Sequence, residues 1–204
     1  MISRKSLFLL YVGVMLIITF LQQEFVLMPE LQNFDLVGEE AKAKMIENWQ
    51  KWRWLAYLAA PLMLLLRLSL VSLCLFVGSF FFAEMGGRKF KDWWSVAMIA
   101  QAFLLLYSVV LCVVNITAGV NEALEVTKYT SLLFLGGDNP EPWIKLPLAA
   151  VNLFEITYWL AMAKVVSVRA TTSFGKSFRF VLSSYGVGYL FYIVLLMFLM
   201  LYLN

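Results

Sequence analysis

Histidine is absent from this chain. Charge is scarce too, with 16 Lys and Arg against 13 Asp and Glu, together 14% of 204 residues. Without imidazole there is no Ser-His-Asp triad, no HExxH zinc site and no haem ligation by histidine. Cysteine occurs twice, as Cys74 and Cys112. Each lies inside an apolar run with no metal-ligand spacing, so both read as small buried hydrophobes. Ser-Lys and Asp-Asp patterns of intramembrane proteases are missing, as are a nucleotide fingerprint and any strong internal repeat. The expectation is a protein without cofactor, metal or nucleic-acid partner, and not an enzyme.

Apolar residues are abundant, at 62% of the chain. A soluble protein is nearer half apolar and a quarter charged. A packed globule of this size has no interior large enough for so much apolar surface, which implies an integral membrane protein. The pattern predicts an all-α fold, one transmembrane domain over residues 1–204, with five helices in a bundle. The spans are expected at 7–28, 54–83, 93–117, 146–166 and 178–203. Pro29 is expected to end the first. The second, about 30 residues, is longer than a bilayer needs and is expected to tilt or project. The first follows Arg4 and Lys5 but is too long for a signal peptide. Gln22-Gln23-Glu24 offers no small-residue cleavage site, so the span is read as retained.

Loop charge sets the orientation. The N-terminal segment and the second and fourth loops hold nine basic residues (Arg4, Lys5, Arg88, Lys89, Lys91, Lys164, Arg169, Lys176 and Arg179) against two acids. The other loops hold six basic residues against ten acids. The basic loops are therefore expected in the cytoplasm, the N-terminus inside and Asn204 outside. Multi-pass insertion in a membrane follows as the expected location.

Two charges fall inside apolar spans: Arg67 in the run "PLMLLLRLSLVSLCLF" and Glu155 in "NLFEITYWLAM". Both spans enter from the same side, and the two residues lie roughly 20 and 15 Å along their helices. A charge at that depth costs several kcal/mol unless paired or hydrated. The reading is an intramembrane ion pair, Arg67 with Glu155, clamping the second helix to the fourth. An ion, proton or substrate pathway is the alternative, and a third possibility is that the two never meet. A single acid in the membrane is thin for a proton relay.

The segment Gly38–Trp54 has Met45, Trp49 and Trp52 at helical spacing and reads as an interfacial helix running into the second span. Trp93, Trp94 and Trp143 are expected to anchor other helix ends at headgroup depth. "LGGDNPEPW" is turn chemistry, and its acids Asp138 and Glu141 make only a weak cation site. "MGGRKFKDWWS" lacks the spacing of a phosphate loop and reads as a basic loop for anionic lipid headgroups or a protein partner. Gly186, Gly188, Ser69 and Ser72 allow close helix approach. Asn115 and Asn152 are expected to bond neighbouring helices.

The stretches "LRLSLVSLCLFVGSFFFAEMGGRKFKDWWSVAMIAQAFLLL" and "NLFEITYWLAMAKVVSVRATTSFGKSFRFVL" resemble the central part of Yip-type (Rab/Ypt-interacting) five-span membrane proteins. The likeness lies in a span, a small Gly-containing loop, an F-K with an aromatic, and the next span, and it covers roughly residues 54–204. The Asp-Leu-Tyr-Gly-Pro type motif of the eukaryotic branch is absent, which directs the resemblance to a bacterial relative. It implies a helical bundle that organises membrane or partner proteins and carries no catalytic residues. Function is thus expected to be that of a scaffold or accessory subunit, with a membrane-protein partner or a second copy of the chain. A transporter or channel component is the other candidate.

Overall fold

The computed structural model describes residues 3–32, 38–136 and 141–203. Asp138, one of the two acids considered for a cation, lies outside them. Among the described residues the fold is helical, with one isolated bridge between Ser131 and Asn152. Four helices are long and apolar enough to cross a membrane: α1 (Arg4–Gln32), α3 (Trp54–Ser79), α4 (Phe90–Thr117) and α8 (Phe174–Tyr202). The chain is a multi-pass membrane protein by this measure. The other helices are α2 (Glu39–Trp52), α5 (Val120–Thr130), α6 (Pro142–Ala150) and α7 (Leu153–Ala170).

Three expected boundaries shift. α1 runs past Pro29 to Gln32. A π-helical turn at Gln23–Leu27, where the Met28 amide donates to the Gln23 carbonyl, widens the helix just before the proline. The ring and missing N–H of Pro29 are accommodated there instead of ending the helix. α3 stops at Ser79, four residues early. The amides of Phe80 and Phe81 tighten onto the carbonyls of Val77 and Gly78, and the chain turns into a short 3-10 segment, Ala83–Met85.

The third shift is the largest. The run expected as one span at 146–166 is two helices, α6 and α7, divided at Val151–Asn152. Asn152 is extended (φ −124°, ψ 167°), and its side-chain oxygen accepts from the Glu155 amide at 2.8 Å. It is an N-cap, the role a short amide side chain fills best, and its side-chain nitrogen donates to the Ala149 and Ala150 carbonyls at the end of α6. The Leu132 amide donates to the Val151 carbonyl at 2.9 Å, so the break satisfies its backbone from within the protein.

The chain divides into two compact units. The first comprises residues 1–66 and 105–124, and the second 67–104 and 125–204. The first unit holds α1, α2, the first half of α3 and the second half of α4. Its buried side chains are few, among them Tyr11, Ile18, Val26 and Gln23. α2 follows the expected interfacial segment, and only Arg53 separates it from α3. Arg53 pairs with Glu24 at 2.8 Å and lies over the Trp49 ring.

The second unit carries most of the core. Leu68, Leu75, Trp93, Met98, Tyr158, Met162 and Phe180 are almost fully buried. α3 and α8 meet along a seam of small residues. Cys74 and Gly78 sit four apart on α3, and Ser184 and Gly188 four apart on α8. A Cβ on Gly78 would collide with the Ser184 side chain, and one on Gly188 would lie 2.6 Å from Cys74 Sγ. Small residues at this spacing are what let membrane helices approach closely. A π-helical turn, Leu182–Gly186, turns Ser184, Tyr185 and Gly186 inward at the same level.

Candidate functional site

The second unit brings Arg67 and Glu155 together. Arg67 Nη2 donates to Glu155 Oε2 at 2.6 Å. Arg67 lies roughly 18 Å along α3 from Ser79, inside a helix long enough to span a bilayer, and Glu155 lies in the first turn of α7. The Glu155 side chain is 4% exposed and that of Arg67 39%.

Glu155 is held by more than its cation. It is the third residue of α7, so the Asn152 cap sets its backbone. Its second oxygen, Oε1, accepts from Tyr185 Oη at 2.7 Å and Trp159 Nε1 at 3.0 Å. Arg67 is held from a second direction, its guanidinium 5.5 Å from the Tyr158 ring centroid. Tyr158, Trp159, Tyr185 and Tyr189 form a chain of ring contacts with centroids 5.8–6.0 Å apart. Tyr189 Oη closes the network onto the Ala150 carbonyl at 2.6 Å, next to the helix break. Arg67 Nε and Tyr158 Oη are buried without a hydrogen-bond partner.

A carboxylate removed from water loses far more than one ion pair returns unless its remaining lone pairs are also bonded. Three donors on Glu155 meet that condition. Chemically the arrangement is an ion pair whose carboxylate is fully bonded, and it ties α3, α7 and α8 together. The four aromatic residues were not singled out from sequence. The signal for two of them is visible in hindsight: Tyr158 and Trp159 stand three and four residues after Glu155, on its own helix face. Tyr185 and Tyr189 share a face of α8, but nothing local aims that face at Glu155.

The two basic loops of the second unit are stitched together. Arg88 Nη2 donates to the Arg169 carbonyl at 3.1 Å. Arg169 donates to the Asp92 carbonyl at 3.2 Å and to Ser95 Oγ at 3.0 Å. Lys176 pairs with Glu84 at 2.5 Å. Lys89, Lys91, Lys164 and Arg179 are exposed. Of the expected tryptophan anchors, Trp52 is exposed and Trp49, Trp94 and Trp143 are half-buried. Trp143 donates to the Glu141 carboxylate. Trp93 departs from expectation: it is 1% exposed and packs on Phe180 at 5.1 Å, inside the protein. Asn115 lines an open cleft of about 490 Å³ with Phe25, Pro29 and Glu30 in the first unit, instead of bonding a neighbouring helix. Among the described residues no cluster of Cys, Asp and Glu is arranged to hold a metal ion.

Comparison with protein families, curated proteins and solved structures finds no match for this chain.

Proposed function

We propose that the chain is a non-enzymatic membrane scaffold or accessory subunit, a bacterial inner-membrane relative of the Yip-type proteins. In this reading α6 and α7 in series make a fifth crossing, with the N-terminus and basic loops in the cytoplasm and the C-terminus outside. One observation carries it: Glu155, the acid of the intramembrane pair, is 4% exposed and both its oxygens are bonded. A transport carboxylate must exchange its partner for a cargo ion or proton. This one is locked by an arginine, a tyrosine and a tryptophan, which suits a clamp that fixes helix contacts. The test is retrieval of the tagged full chain from native membranes in nanodiscs, with mass spectrometry of what is retained. A stoichiometric membrane-protein partner is the expected result. A chain that is recovered alone and monomeric would overturn the reading.

A second reading, a transporter component, is favoured by the break at Val151–Asn152 one turn from Glu155. Broken helices at membrane depth often line substrate sites. It requires an ion or proton flux in proteoliposomes that Glu155→Gln abolishes.

A further inference from the structure

In the first unit, the open cleft of about 490 Å³ is lined, among the described residues, by Phe25, Val26, Pro29 and Glu30 of α1, Asn115 of α4, and Val120. Phe25 and Pro29 are four apart, as are Val26 and Glu30, so the α1 side is one helix face. That face begins within the π-helical turn Gln23–Leu27, a distortion that recurs at functional sites. Gly119, with φ 107°, turns the chain after α4 and lets Val120 reach the cleft, its amide donating to the Val114 carbonyl at 3.2 Å. The volume is that of a small-molecule site. Both polar side chains in the lining are open and unspent. Glu30 is exposed and Asn115 half-buried, and neither makes a hydrogen bond or ion pair with another described residue.

The chemistry of the lining selects the occupant. The Glu30 carboxylate only accepts hydrogen bonds, whereas the Asn115 amide nitrogen donates two. Among the described residues no cation lines the cleft, so its charge is negative and an anionic head is repelled. A cationic group is required at Glu30, and an acceptor suits Asn115. The position of the cleft adds the rest. Glu30 lies roughly 39 Å along α1 from Arg4, beyond a hydrocarbon core of about 30 Å, and Asn115 stands two residues before the end of α4 at Thr117. Both polar groups are therefore at a span end, at headgroup level. Phe25 and Leu27 beside them are 56% and 44% exposed, an apolar surface for acyl chains.

We infer that the cleft between α1 and the end of α4 binds the zwitterionic head of an ethanolamine phospholipid, whose ammonium donates to Glu30 and whose phosphate accepts from the Asn115 amide. A primary ammonium carries three N–H donors, whereas the quaternary ammonium of a choline lipid carries none, so the site discriminates between the two. The inference needs only membrane insertion and stands or falls apart from the scaffold reading.

The test uses the full chain in phosphatidylcholine nanodiscs in which phosphatidylethanolamine of the same acyl chains is substituted stepwise, read by native mass spectrometry of retained lipid. Phosphatidylethanolamine should be held about tenfold in preference, the factor for one hydrogen bond to a charged group. Dimethylated phosphatidylethanolamine, with one N–H left, should fall between the two lipids. Glu30→Gln should reduce the preference to about twofold, because the charge is lost and an acceptor remains. Asn115→Leu removes the donor to a phosphate that both lipids share, so it should weaken both about fivefold and leave their ratio unchanged. Glu40→Gln, which removes an exposed acid of α2 that does not line the cleft, should leave the ratio within about twofold of the parent. Each variant should unfold at the parent temperature, since neither cleft side chain is bonded within the described protein. Equal retention of the two lipids, or an undiminished preference in Glu30→Gln, would overturn the inference. Displacement of the lipid by free phosphoethanolamine at equimolar amounts would assign the cleft to a soluble amine. Displacement by an oligolysine peptide would assign it to a basic protein segment, and either result refutes the lipid.

Discussion

The two units of this chain have similar raw material and are held in different ways. In the first unit, α1 and the early part of α3 present apolar side chains outward, with Leu9, Ile17, Leu58 and Leu62 each more than half exposed, and among the described residues Gln23 is the one buried polar side chain there. In the second unit Ser72, Ser79, Ser95, Gln101, Ser131, Glu155, Ser167, Ser177 and Ser184 are all buried. Most of those serine hydroxyls donate to their own helix backbones, as Ser72 does to Leu68 and Ser184 to Phe180. The comparison teaches where specificity comes from in a membrane chain. Lipid tails are as apolar as leucine, so leucine surfaces do not choose partners. Close contact between small residues and a bonded charge pair do.

The sharpest way to break the comparison is at Glu155. Removing one partner of a buried pair costs about 3–5 kcal/mol, because the other charge is left behind. Glu155→Gln and Arg67→Met should each lower the unfolding midpoint in detergent strongly, and the double variant should be less damaged than the sum of the two. Additivity would show that the two side chains do not act as a pair. A charge swap should recover little, because Tyr185 and Trp159 would then donate toward an arginine.

The small-residue seam comes next. Gly78→Ala and Gly188→Ala place a methyl group where Ser184 and Cys74 already sit, and overpacking of this kind costs about 1–3 kcal/mol. Gly13→Ala in α1 of the first unit meets nothing within 4 Å. It should be neutral or stabilising by up to about 1 kcal/mol, from helix propensity alone. Equal responses at the three glycines, read by thermal unfolding, would erase the distinction between the units.

The smallest effects sharpen it. Asn152→Ala removes an N-cap and should cost about 1 kcal/mol. Glu24→Gln breaks the partly exposed pair with Arg53 in the first unit, where about 0–1 kcal/mol is expected. A loss at Glu24 as large as that at Glu155 would show the first unit to be equally dependent on charge.

Much of the architecture was legible from residue type and order. Helix lengths follow from apolar runs, and four of the five expected spans coincide with helices long enough to cross. The meeting of Arg67 and Glu155 matches the expectation drawn from roughly similar depths, about 20 and 15 Å, along apolar runs read as entering from one side. The break in the fifth run did not, because "LAAVNLFEI" is apolar enough to continue as helix. Only the pairing of Val151 with Leu132, distant in sequence, makes an N-cap at Asn152 cheaper than one more helical turn. Trp93 illustrates the same limit. A tryptophan at a helix end next to lysines has the composition of a membrane anchor, and its burial depends on Phe180 of α8.

By itself, then, the amino-acid order determined the solvent, the helical state and the length of the apolar spans. These depend on transfer free energy and on a rise per residue that every helix shares. Tertiary structure alone decided which donors surround Glu155, where the helix between Pro142 and Ala170 breaks, and that the Trp93 N–H is left without an acceptor. Each of those is a matter of which faces of separate helices meet, and that is settled by close packing and hydrogen-bond satisfaction among residues far apart in the chain.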